Sequence, residues 1–178
     1  MLLYSMDVML DIEGLGTGPD TTILTIAAQE FDPLVRDRFG EHFYARVTLE
    51  SQENRSIQQS TIDWWATQPA IVREEAFAES DRVPLDQALE GLHRICWHAK
   101  RIWAQGPTYD MTILEHAYKS YNMALPWRYF SVRDSRTVFS LVPSLEKYPA
   151  SHHALEDCRR QCNLLWDSLE YLKIRELA

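Results

Sequence analysis

The stretch VMLDIE at residues 8–13 decides the fold of this chain. Over residues 5–13 the side chains alternate with a period of two, which is typical of a β-strand with one apolar face. Asp11 and Glu13 share the other face, where side chains two apart on a strand lie about 6–7 Å from each other. Because the rest of this strand is apolar, we expect it in the interior of a sheet. Gly14 follows directly and would let another molecule approach the end of the strand closely.

The remaining strand patterns predict a mixed sheet. Residues 22–31 and 41–47 have the composition of two more strands, and their short connections favour an antiparallel meander. Two later strands, at residues 102–104 and 129–133, are separated by helices, so we expect them to run parallel through right-handed crossovers. The expected fold is therefore α/β, with three antiparallel and then two parallel strands in a five-stranded sheet and helices on both faces.

Helices are predicted from capping signals and from apolar periodicity. A capping box, STID at residues 60–63, is expected to open a short helix. Apolar residues at helical spacing predict a second helix over residues 85–99. A third is expected to start at Asp110, and a long last helix should run from about residue 153 to residue 175.

Composition and charge limit the class of protein. The chain has 178 residues, of which 46% are apolar and 25% charged, so we expect one globular domain spanning residues 1–178. No apolar run approaches the ~20 residues of a membrane span, and no leader pattern stands at the start, so we expect a cytoplasmic protein without a membrane partner. The net charge of −8 argues against a broad basic surface, but it is compatible with a small acidic cleft that holds cations.

The three cysteines are expected to be reduced, buried thiols, because their number is odd and no Cys-x-x-Cys occurs. An alternative is a structural zinc site, in which Cys158 and Cys162 would bind the metal with His152 and His153.

The last two candidate site residues are five apart. On a continuous helix, His152 and Asp157 would point about 140° apart, so we expect His152 on a loop or cap that folds back toward Asp157. His153 competes for the same position.

Asp110, at a strand-to-helix junction, is open to two interpretations, an N-cap and a site residue at the carboxyl end of a parallel strand. Four carboxylates gathered at one point would require divalent cations.

The order Asp11-x-Glu13, then Asp110, then His152-x-x-x-x-Asp157 resembles the DEDDh exonucleases of the ribonuclease H-like fold, the DnaQ-like and ribonuclease T-like superfamily. The similarity extends over roughly residues 7–166.

Local strings narrow the resemblance. HHALED at residues 152–157 is similar to the His-x-Ala-x-x-Asp motif of the family, which favours His152 over His153. The segment that contains Trp64, Trp65 and Gln68, together with RDSRT at residues 133–137, resembles a narrower group that includes phage exodeoxyribonuclease A and a mycobacterial-type exoribonuclease.

The resemblance implies a catalytic site with two Mg²⁺ or Mn²⁺ ions about 3.5–4 Å apart. Asp11 would bridge both ions, Glu13 and Asp157 would complete the site of the nucleophilic water, and Asp110 would serve the second ion. His152 would act as general base. The implied reaction is 3′-5′ hydrolysis of single-stranded DNA or RNA with release of 5′ mononucleotides. Alternatives are a catalytically silent nucleic-acid-binding domain of the same fold and the structural zinc protein.

Substrate contacts are expected around this site. One of Trp64 and Trp65 should face the cleft and stack on the terminal base, and the resemblance favours Trp65. Gly14 and Arg136 are further candidates for substrate binding. Three other arginines are weighed as phosphate contacts, namely Arg133, Arg159 and Arg160. Asp134 is expected to orient an arginine or the histidine. The sequence leaves open whether the nucleic acid with its free 3′ end is DNA or RNA, its strandedness, and the oligomeric state, with a homodimer as one option.

Overall fold

The structure, a computed structural model, describes residues 6–143, 145 and 150–177. A six-stranded sheet forms its centre. The strands are β1 (Asp7–Gly14), β2 (Ile23–Phe31), β3 (Phe39–Val47), β4 (Arg82–Val83), β5 (Ile102–Ala104) and β6 (Val132–Asp134). They are arranged in the order β4-β3-β2-β1-β5-β6. The first three strands pair antiparallel, whereas β3–β4, β1–β5 and β5–β6 pair parallel.

Helices cover both faces of this sheet, as predicted. They are α1 (Gln59–Thr67), α2 (Ala70–Ala76), α3 (Leu85–Cys96), α4 (Pro107–Ser120), α5 (Ser135–Ser140) and α6 (Ala154–Tyr171). On one face, α3 and α4 pack on the even-numbered side chains of β1 in the larger core. On the other face, α6 packs on Met9 and Trp103 in a second core. The sheet is therefore buried from both sides, which explains why β1 is apolar apart from Asp7, Asp11 and Glu13.

The position of β1 confirms the expectation drawn from its sequence. It lies between β2 and β5, in the interior of the sheet, with Asp11 paired opposite Ala27. The observed strand covers Asp7–Gly14, and the predicted start at residue 5 lies outside the described residues. Since β1, β5 and β6 run parallel, their carboxyl ends meet at one edge of the sheet, where open α/β sheets place their sites.

The prediction of five strands was wrong by one. The additional strand β4 has only two residues and pairs with the end of β3, so it is too short to show a period of two. The strand predicted at residues 129–133 begins later. Residues Tyr129–Ser131 form a 3-10 turn, and the strand covers Val132–Asp134.

Several helix boundaries also differ from the prediction. The capping box at residues 60–63 is not formed, because α1 already begins at Gln59 and its N-cap side chain makes no capping hydrogen bond. Asp110 does not start its helix, which begins three residues earlier behind Gly106 at φ +96°. The last helix ends at Tyr171 rather than near residue 175. The short helices α2 and α5 were not predicted.

Among the described residues, no helix combines the length and the apolar character that crossing a membrane requires.

Candidate active site

A cleft of about 280 Å³ opens at the carboxyl ends of β1 and β5, beside the first turns of α4 and α6. It brings together the five residues that the sequence singled out. These are Asp11, Glu13, Asp110, His152 and Asp157.

The two carboxylates of β1 differ in their contacts. Asp11 Oδ1 accepts a hydrogen bond from Gln161 Nε2 at 2.8 Å. Burial, and then the charges of Asp110, Glu13 and Asp157, raise the pKa of Asp11 well above its ordinary value. Burial likewise raises the pKa of Glu13, although its contact with His152 opposes that shift. Both carboxylates are thus destabilised in their charged form unless a cation lies nearby.

Asp110 lies in the first turn of α4 and faces the β1 backbone. Its Oδ1 accepts a hydrogen bond from the Ile12 N–H at 3.2 Å, and its side chain is buried. Burial raises the pKa of Asp110 to about 7, although the hydrogen bond from Ile12 acts in the opposite direction. The N-cap interpretation therefore fails, because Gly106 holds the N-cap position of α4 and the Asp110 carboxylate reaches the neighbouring strand from within the first turn.

His152 takes the folded-back position that its spacing predicted. Its φ of +55° places the backbone in the left-handed region. The Asp157 carboxylate holds this turn, because it accepts hydrogen bonds from the N–H groups of Ser151 at 3.0 Å and His152 at 2.7 Å. His152 Nδ1 lies 3.5 Å from Glu13 Oε1. This contact raises the pKa of His152, and partial burial of the ring acts in the opposite direction.

The donor set fits a hard divalent cation. Within the described part of the chain, Glu13, His152 and Asp157 form the cluster whose potential ligand atoms all lie within 4.8 Å of one another. Asp11 and Asp110 add further carboxylates to the same cleft. Oxygen-rich sites of this kind suit Mg²⁺ and Mn²⁺. A cation would also offset the burial and the mutual repulsion that raise the pKa values of Asp11, Glu13 and Asp110.

A family model matches almost the whole chain. Residues 6–168 fit the model of the 3′-5′ exoribonuclease Rv2179c-like domain. The chain belongs to this family. It is a 3′-5′ exonuclease of the DEDDh type, which confirms the resemblance seen in the sequence.

One relative and two solved structures are similar to this exonuclease. The exodeoxyribonuclease of Enterobacteria phage T4 is 23% identical over 204 residues, covering 93% of this chain and 89% of that protein. The nuclease domain of 3′hExo, a DEDDh family member bound to rAMP, aligns with a TM-score of 0.58 and 12% identity, covering 96% of this chain and 94% of the other. The Mg²⁺- and Mn²⁺-bound form of S. pombe Pop2p aligns with a TM-score of 0.61 and 12% identity, covering 98% and 86% of the two chains.

These alignments confirm the ribonuclease H-like fold of the exonuclease. The chain spans only 64% and 43% of the length of two other nucleases with the same fold, which are larger proteins.

His153, the other histidine of the HHALED string, does not line the candidate cleft. The His153 ring stacks on Tyr44, with centroids 4.8 Å apart, and its Nε2 lies 3.4 Å from Glu75 Oε1. His152 is therefore the histidine that faces the carboxylates.

The two tryptophans occupy the opposite positions from those expected. Trp65 is 2% exposed and donates from Nε1 to the Gly14 carbonyl oxygen at 3.1 Å, so it belongs to a small core beneath the cleft. Trp64 is 41% exposed, and its ring lies 5.0 Å from that of His152. The expectation that Trp65 faces the cleft is wrong, because a fully packed ring offers no free face for stacking.

Gly14 also has a different role from the one expected. A Cβ at this position would lie 3.0 Å from the Thr22 carbonyl oxygen and 3.2 Å from the Tyr109 hydroxyl. Neighbouring protein atoms, rather than an approaching substrate, occupy the space that glycine leaves.

The four candidate arginines separate into two pairs. Arg136 and Arg160 line the cleft, where they contact the Gln105 carbonyl oxygen and the Asp157 carboxylate, respectively. The other two lie elsewhere in the fold. Arg133 donates to backbone carbonyls of its own segment, and Arg159 contacts Gln29 and Glu156.

Asp134 caps α5 and orients that helix rather than His152. Its carboxylate accepts hydrogen bonds from the Arg136 N–H at 3.0 Å and from the Gly106 N–H at 3.2 Å. It thereby fixes the backbone that carries the cleft arginine.

Gln161 and Tyr109 are among the cleft residues that the sequence analysis missed. Gln161 follows Asp157 by four residues, so both lie on one face of α6, and this spacing could have revealed it. Tyr109 precedes Asp110, and its hydroxyl donates to the Gly16 carbonyl oxygen at 3.3 Å. Nothing in its spacing marked Tyr109, because only the close approach of the loop after β1 places it there.

The cysteines do not contribute to the site. Cys158 and Cys162 are free thiols buried in the core between α6 and the sheet. Burial raises the pKa of both thiols, which disfavours the thiolate that zinc binding requires. The structure therefore does not support the zinc alternative.

Proposed function

We propose that this exonuclease removes 5′ mononucleotides from the free 3′ end of single-stranded DNA or RNA, using two divalent cations, Mg²⁺ or Mn²⁺. The observation that carries the proposal is the convergence of four carboxylates and His152 in one cleft. The family is described as exoribonucleolytic and the phage relative as an exodeoxyribonuclease, so both polymers are candidate substrates.

The metal-binding residues would be Asp11, Glu13, Asp110 and Asp157. When bound, the cations would supply charge neutralisation, an activated water, and stabilisation of the leaving 3′ oxygen. Support comes from the raised carboxyl pKa values and from Pop2p, whose structure holds Mg²⁺ and Mn²⁺.

His152 would act as the general base. Its Nδ1 faces Glu13, so this contact fixes the orientation of the ring and leaves Nε2 free to take the proton of the attacking water. Asp157 supports that role through the backbone, because it holds the left-handed turn at His152.

Substrate contacts would come from Trp64, Arg136 and Arg160. The exposed Trp64 ring would stack on the terminal base, which suits a nuclease without sequence preference. The two arginines would contact phosphates, although Arg160 already pairs with Asp157 and would also restrain that ligand.

We further propose that residues 1–178 act as one domain in the cytoplasm. Three free, buried cysteines fit a reducing compartment.

The oligomeric state of the protein is a separate question. Analytical ultracentrifugation would decide between a monomer and a homodimer.

The proposed reaction is tested with matched DNA and RNA oligonucleotides labelled at the 5′ end, in Mg²⁺ and in Mn²⁺. A ladder that shortens from the 3′ end, together with 5′ mononucleotides as product, is expected for at least one polymer. A blocked 3′ end should stop the reaction, and Asp11→Ala should abolish it. Cleavage of a circular strand at the same rate, or full activity of Asp11→Ala, would refute the proposal.

A further inference from the structure

Glu75 of α2 joins three separate elements next to the catalytic cleft. Its Oε1 accepts a hydrogen bond from the Tyr44 hydroxyl at 2.9 Å and pairs with the Arg46 guanidinium, both from β3. The same oxygen lies 3.4 Å from His153 Nε2, on the loop before α6. One carboxylate therefore connects a flanking helix, an inner strand and the loop that carries His152.

The orientation of the His153 ring depends on Tyr44 and Glu75. Its ring lies against Tyr44 with an interplanar angle of 22°. Its Nδ1 is buried, and no hydrogen-bond partner for it exists within the described part of the chain. The polar contact that holds the His153 ring is thus the one with Glu75.

His152, the residue before His153, needs to be held on both sides. His152 has φ +55°, a conformation that non-glycine residues adopt only when their surroundings enforce it. Asp157 secures one side of this turn through the His152 N–H. The other side of the turn is His153, whose ring is held by Tyr44 and Glu75.

We propose that Glu75 is a positioning residue for catalysis. It acts through His153 to keep His152 oriented toward Glu13. The inference rests on the proposed role of His152 as general base. The alternative is a purely structural ion pair with Arg46, in which His153 takes no part.

The first test compares Glu75→Ala with Glu74→Ala, which removes an exposed carboxylate from the same helix. Glu75→Ala should lower kcat about 10- to 100-fold with KM unchanged, because the substrate contacts remain while the base is displaced. Glu74→Ala should retain the parental kcat. Equal kcat in both variants would overturn the proposal.

A second test asks whether the effect passes through His153. His153→Phe keeps an aromatic ring on Tyr44 but loses the contact of Nε2 with Glu75. Glu75→Ala should lower kcat no further in the His153→Phe background. If the two substitutions act independently on kcat, or if Glu75→Ala changes only the melting temperature, Glu75 is structural.

His152→Ala separates this inference from the function on which it rests. A parental rate for His152→Ala would refute the proposed general base itself. A large loss for His152→Ala with no loss for Glu75→Ala would refute only the positioning role.

Discussion

The Asp157 carboxylate accepts a hydrogen bond from the backbone N–H of His152 at 2.7 Å. This contact explains the five-residue spacing between the two residues. The side chain of the first turn of α6 reaches back over the preceding loop and stabilises the left-handed turn at His152. The same carboxylate faces the cleft, so one residue both shapes the loop and belongs to the proposed metal-binding cluster.

Asp157→Asn and Asp157→Ala should separate these two roles. Both remove the charge and should abolish nucleolysis. Asn retains one acceptor oxygen for the loop, whereas Ala retains none. We therefore expect Asp157→Ala to be less stable than Asp157→Asn by about 1 kcal/mol, or roughly 2–4 °C in Tm. Thermal unfolding of both proteins measures the difference. Equal Tm values would show that the loop does not depend on this carboxylate.

The adjacent tryptophans should respond differently to truncation. Trp64→Ala removes an exposed ring and should raise KM for an oligonucleotide about tenfold, with little change in stability. Trp65→Ala creates a cavity beneath the cleft and should cost about 3–5 kcal/mol of unfolding free energy. Urea unfolding and steady-state kinetics on both variants check this pair. If Trp65→Ala stays folded and raises KM more than Trp64→Ala does, Trp65 rather than Trp64 contacts the substrate, as the sequence first suggested.

Asp11→Asn should abolish activity but increase stability. Burial and the neighbouring carboxylates raise the pKa of Asp11, so its ionised form destabilises the metal-free fold at neutral pH. Removing that charge should increase the free energy of unfolding in EDTA, while activity is lost. The substituted amide still offers an oxygen to Gln161.

Added Mg²⁺ provides the control for Asp11→Asn. It should raise the Tm of the parent, because binding to the folded state alone contributes about 2.7 kcal/mol at 100 times the Kd. The variant should respond much less. A parent whose Tm does not change with Mg²⁺ would contradict the assignment of the cluster as a metal site.

The sequence predicted the positions that depend on local pattern. The alternation along β1 and the apolar spacing of α3 follow from periodicity, and the structure shows both elements. The fold-back of His152 followed from geometry alone, because a five-residue separation cannot place two side chains on one helix face.

The errors in the candidate site concern contacts between distant segments. Whether Trp64 or Trp65 faces the core depends on where α1 docks, and that docking is set by the Trp65 contact with Gly14 across 51 residues. Gly14 was assigned to the substrate for the same reason, since the approach of Tyr109 is invisible in the sequence. Glu75 lies on a helix too short to show a periodic pattern, so its link to His153 could not be predicted.

The ion pairs of Glu75 predict a pH-dependent contribution to stability. Partial burial would raise its pKa, but hydrogen bonds from Tyr44 and Arg46 and the nearby charges of Arg46 and His153 outweigh it, so the pKa lies below the ordinary 4.5. A depressed carboxyl pKa means that the ionised form stabilises the fold. This contribution is present above the ordinary value and is lost as the pH falls through the folded-state pKa.

Glu75→Gln should therefore be less stable than the parent at pH 7, and the gap in unfolding free energy should close as the pH falls from the ordinary 4.5 through the lower folded-state pKa of Glu75. Glu74→Gln, which removes an exposed charge from the same helix, is the control and should remain close to the parent in stability at pH 7. Urea unfolding of the three proteins at pH 7, 5, 4 and 3.5 measures this trend. A gap between the parent and Glu75→Gln that stays constant or widens toward low pH would show that the charge of Glu75 does not stabilise the fold.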